Sequence, residues 1–145
     1  MLILAVTIFG AVMPALLLLA PVIAGSLIDS YAFSPAEAGY IVSGELAGLA
    51  FATLPSLYWL DRVDWRRAAR VALFLAAIAN AVSLPLTSFT ELLVCRFAAS
   101  MAAGSVMVIC LASLAGSTEK ARGFGWWIFG QVAFGALGLL LLPHY

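Results

Sequence analysis

The sequence predicts an all-α, polytopic integral membrane bundle of five transmembrane helices. Three observations carry this reading. The chain of 145 residues is 65% hydrophobic and only 10% charged, whereas a soluble domain carries about 25% charged residues. One core of this size does not hide so much apolar surface, so the outer face must meet lipid. Polar breaks divide the chain into five apolar stretches, and the basic residues gather in alternate breaks.

The stretches cover about residues 2–28, 36–60, 68–86, 92–116 and 123–142. Each is long enough to cross ~30 Å of hydrocarbon as a helix. In lipid each segment must satisfy its own backbone, which makes helices the expected form. The first stretch lacks a basic leader and is too long for a signal peptide core, so it reads as a true span. Ser34-Pro35-Ala36-Glu37 forms a capping box with proline at the first helical position and opens the second span. Asp64 is placed to cap the third, and Ser88-Phe89-Thr90-Glu91 repeats the Ser-x-x-Glu pattern before the fourth. Prolines 14 and 21 in the first span and Pro55 in the second are expected to kink their helices. Gly44-Glu45-Leu46-Ala47-Gly48 offers a close-packing face, repeated less regularly by Gly130, Gly135 and Gly138.

Counting basic residues sets the orientation. The second–third connection and the start of the next helix hold Arg62, Arg66, Arg67 and Arg70; the fourth–fifth connection holds Lys120 and Arg122. The other two connections hold none, which predicts a cytoplasmic N-terminus and an outer C-terminus. Tyr58, Trp59, Trp65, Trp126 and Trp127 flank the basic loops, where interfacial anchors belong.

The seventh basic residue, Arg96, lies inside a span, as does Glu45. Counted from the caps they sit ~12 Å and ~15 Å deep in helices that start on the same side. Opposite charges at nearly one depth invite pairing, and each must face protein or a water-filled cavity. Together they mark a substrate or proton pathway, or else an ion pair locking the second span to the fourth. Asn80 and Gln131 are the next most polar side chains within spans, suited to helix–helix hydrogen bonds or a cavity lining.

Cys95 and Cys110 share one span about 22 Å apart, too far to bridge, and read as packing residues. The single histidine, His144, gives no metal set, and no cofactor is expected. HExxH, GxSxG and paired intramembrane aspartates are missing, so no catalytic residue is expected and an enzyme is not. The lipid bilayer is the evident partner, and no nucleic-acid partner is expected.

With these residues placed, the chain resembles the N-terminal part of a major facilitator superfamily transporter. Asp61, Arg62, Arg66 and Arg67 resemble the acidic–basic core of the loop motif G-x-x-x-D-R-x-G-R-R, with Leu57 and Asp64 at its glycine positions. Arg96-Phe97-Ala98-Ala99-Ser100-Met101-Ala102-Ala103-Gly104 resembles the fourth-helix motif R-F-L-Q-G-L-G-A-G. Glu119-Lys120-Ala121-Arg122-Gly123-Phe124-Gly125 at the opening of the fifth span is similar to a common family pattern, while the antiporter motif G-P-x-x-G-G has no counterpart. The resemblance implies a cytoplasmic gate at Asp61, Arg62, Arg66 and Arg67, and a proton-transfer or cavity role for Arg96. It implies secondary transport of a small solute across the cell membrane, with possible proton coupling. Five spans are fewer than the six of a half-bundle and the twelve usual in the family. The expectation is therefore a transporter fragment whose missing C-terminal helices are its partner. The alternative is a small helical membrane protein with a structural or partner-binding role, using the Gly44/Gly48 face.

Overall fold

The computed structural model describes residues 15–59 and 62–141. Positions 1–14, Leu60, Asp61 and residues 142–145 lie outside the described residues, and Pro14 and His144 with them. Among the described residues the chain is all helical: α1 (Ala15–Tyr31), α2 (Pro35–Phe51), α3 (Thr53–Trp59), α4 (Trp65–Ser83), α5 (Phe89–Ala115) and α6 (Lys120–Leu141).

Local chemistry explains the ends. The Ser34 hydroxyl accepts from the Glu37 backbone N–H, and the Glu37 carboxylate accepts from the Ser34 N–H at 2.9 Å, closing the capping box. An Asp64 oxygen accepts from the Arg66 N–H at 2.8 Å, so α4 starts at Trp65. Ser88 occupies the N-cap position of α5 without making a side-chain cap, so the second Ser-x-x-Glu pattern does not close into a box. The second span is not one unbroken helix. Pro55 has no N–H for the Phe51 carbonyl and its ring crowds that group; the helix stops at Phe51 and resumes at Thr53.

Among the described residues three helices are long and apolar enough to cross a membrane: Pro35–Trp59 taken together, Phe89–Ala115 and Lys120–Leu141. The described part of α1 is 17 residues long, and α4 carries Arg66, Arg67 and Arg70 in its first turns, so neither meets that measure by itself. Large apolar side chains such as Leu57, Phe74, Phe129 and Leu140 point outward, as a lipid solvent requires.

The long helix α5 is the centre of the bundle. It packs along α2 on one side and α4 on the other, while α1 lies against α2 and α6. Apolar association supplies no driving force between helices in lipid, so close backbone approach has to supply it. A Cβ on Gly48 would stand 2.5 Å from the Phe97 carbonyl oxygen, and one on Gly104 would stand 2.9 Å from the Leu49 oxygen. These notches seat α2 and α5 against each other. The Gly44/Gly48 face is therefore filled from within the bundle by Leu93, Phe97 and Ser100, and is not free to hold a second protein.

One end of the bundle is held by aromatic rings. Tyr31 stacks on Phe33 at 5.6 Å, and Phe33 meets the edge of Phe89 at 6.2 Å. Ala32 between them has φ 54°, a left-handed conformation that costs an L-residue roughly 1–2 kcal/mol. Directly after a helix, glycine is the residue suited to that geometry. Ala32→Gly is expected to stabilise the bundle by about 1 kcal/mol, read as a rise in thermal midpoint in detergent; a fall would contradict the assigned strain.

Candidate intramembrane charge pair

The face of α2 turned to α5 reads Ile41, Gly44, Glu45, Gly48, Leu49, a spacing of three and four residues. The facing stripe of α5 includes Leu92, Arg96, Ala99, Ser100, Ala103 and Gly104. Ile41 and Leu92 belong to one buried apolar cluster, with Leu27 and Ala38. Glu45 and Arg96 each come one turn further in. A second cluster, Ala72, Val106, Cys110 and Leu114, lies toward the other end of α5.

Between these clusters Arg96 Nη1 stands 3.2 Å from Glu45 Oε1. The Glu45 side chain is 5% exposed and that of Arg96 is 30% exposed. The carboxylate is thus enclosed, while the guanidinium keeps one side open. Its Nε is buried without a hydrogen-bond partner. An unsatisfied buried donor of this kind typically costs about 1–3 kcal/mol. Ser100, one turn along from Arg96, is buried against Gly48. The glycine notches and the ion pair therefore occupy the same helix crossing.

The loop arginines are arranged differently. Arg62 lies 4.0 Å from the centre of the Tyr58 ring and Arg66 lies 5.2 Å from that of Trp65. Arg70 Nε donates to the Arg66 carbonyl. Arg67 is exposed. Among the described residues none of the four has a carboxylate partner. Asp61, the acidic member of the motif, lies outside the described residues. In the next basic loop Arg122 reaches Glu119 at 3.5 Å, an exposed pair of little energetic weight.

Asn80 does not bridge helices: its amide nitrogen donates to Ala76 O of its own helix at 2.8 Å. The side-chain hydrogen bond joining α4 and α5 comes from Cys95, whose thiol donates to Ala79 O at 3.1 Å. Ser83, Ser105 and Ser113 also return their hydroxyls to carbonyls three or four residues back. Polar side chains in lipid find local partners in this way. Gln131 is half-buried on α6 and bonds to neither member of the charge pair. Among the described residues no three of His, Cys, Asp and Glu gather to hold a metal ion.

Sequence reasoning missed Gly104 as the counterpart of Gly48. Its signal was available in the Ala103-Gly104 step, two turns along from Arg96 on the same face. A family model described as Major Facilitator Superfamily matches residues 1–144 of the chain. No curated protein and no solved structure matches it.

Proposed function

We propose, for a chain that belongs to the Major Facilitator Superfamily, a part in secondary active transport of a small solute across the cell membrane. The Glu45–Arg96 pair lies on the pathway taken by solute or proton. The observation that carries this reading is the enclosed carboxylate beside a guanidinium with one face open and its Nε unsatisfied. Such a guanidinium offers hydrogen-bond donors to an entering anion or water, and the carboxylate offers a place for a proton or a cationic group. An intramembrane ionisable residue is read as a pathway marker before a structural one.

Alternating access rocks one helical bundle against another around a midplane site. The second bundle is assigned to further helices of the same transporter. The arginine-rich loop after α3 lies in the cytosol, which puts the N-terminus there too. Arg62, Arg66 and Arg67, with Asp61, form the gate on that side, and Asn80 and Gln131 are secondary cavity candidates.

The test is solute uptake into vesicles carrying the complete transporter. Glu45→Gln keeps the shape and removes the charge. Uptake is expected to fall to background while the amount of protein in the membrane is unchanged. Uptake at the wild-type rate would reject the pathway role.

A further inference from the structure

A groove of about 650 Å³ runs between α4 and α5 on a face of α5 distinct from the charge pair. Val71, Leu75 and Ile78 form one wall, and Ala98 and Met101 the other. The small residues Ala79, Ala98 and Ala102 leave the space open, and Val71, Leu75, Ile78 and Met101 are all more than a third exposed rather than packed. The lining is almost wholly apolar. One end alone is charged: Arg67 and Trp59 stand there, beside Arg62, Arg66 and Arg70. The Asp64 carboxylate is engaged by the Arg66 backbone N–H. Arg67, among the described residues, has no ion pair.

We propose that this groove binds a phospholipid with an anionic headgroup, its phosphate at Arg67 and one acyl chain along α4 and α5. From Arg67 to Val82 the wall extends about 22 Å, more than the ~15 Å of one leaflet. A chain entering at the arginine end therefore stays in apolar contact throughout. The charge separates a lipid from other occupants. An apolar helix would fill the walls and leave the arginine end unanswered, and a soluble anion would use the arginine and leave the walls exposed. Clustered basic residues beside a spanning helix attract anionic lipid headgroups. The proposal rests on the membrane-spanning reading and not on the Glu45–Arg96 pathway, so either stands without the other.

The experiment uses the protein with Trp59 as its sole tryptophan, the other three replaced by phenylalanine. It is placed in phosphatidylcholine bilayers containing a minor fraction of brominated lipid. Brominated phosphatidylglycerol is expected to quench Trp59 as though enriched about fivefold over brominated phosphatidylcholine, the advantage of roughly one arginine at the surface. Arg67→Gln, at an exposed position, is expected to abolish that preference. Ala98→Phe fills the groove and is expected to reduce quenching by both lipids, with helix content unchanged by circular dichroism. Equal quenching by the two lipids, or an unchanged preference in Arg67→Gln, overturns the proposal. So does the absence of quenching by either lipid, which would mean that another helix or a second copy covers the groove.

Discussion

Arg96→Met is expected to destabilise the bundle by about 3–5 kcal/mol, because it strands the buried Glu45 carboxylate among apolar side chains. The loss comes mainly from the charge left behind. Adding Glu45→Gln to Arg96→Met should therefore recover most of it, as replacing a whole buried pair by uncharged groups is often neutral or stabilising. A double-mutant cycle on thermal or denaturant unfolding in detergent measures this. The two single losses should exceed the double loss clearly, as expected for residues 3.2 Å apart. Additive losses would mean that the two charges do not interact in the folded bundle.

Gly48→Leu is expected to be comparably damaging, for a different reason. Its first side-chain atom would meet the Phe97 carbonyl oxygen at 2.5 Å, and backbone does not swing aside as a side chain does. The α2–α5 crossing must open, at a cost of about 3 kcal/mol or more. It should also weaken the charge pair, since Glu45 sits within a turn of Gly48. Gly39 supplies the control on the same helix. Nothing lies within 4 Å of a Cβ built there, so Gly39→Ala should stabilise by up to about 1 kcal/mol through helix propensity. If unfolding measurements rank the two substitutions the other way, the close crossing is wrong.

Much of this architecture is written locally. The capping box at Ser34 and the cap at Asp64 involve neighbours within three residues, so the sequence displays both partners. The meeting of Glu45 with Arg96 could be anticipated because helix rise converts distance from a cap into depth. The glycine spacing at 44 and 48 announced a close crossing, though not which helix would fill it.

Other features depend on how two helices settle together. In lipid both the inner and the outer faces are apolar, so hydrophobic periodicity does not identify the packed face as it does in water. Hence the hollow between α4 and α5 had no clear one-dimensional signature. Asn80 turned to its own helix, donating to the Ala76 carbonyl one turn back. The stop at Phe51 was only partly legible. Pro55 announced a disturbance, but the break falls four residues earlier, at the carbonyl the proline cannot serve.

The most direct test of the pathway assignment is the charge swap, Glu45→Arg with Arg96→Glu, measured for both folding and solute uptake. A reversed pair should refold the crossing to a stability well above that of Arg96→Met alone. It should not transport, because the carboxylate and the open guanidinium face have exchanged helices. Wild-type uptake by the swapped protein would contradict the account and reduce the pair to a clamp between α2 and α5.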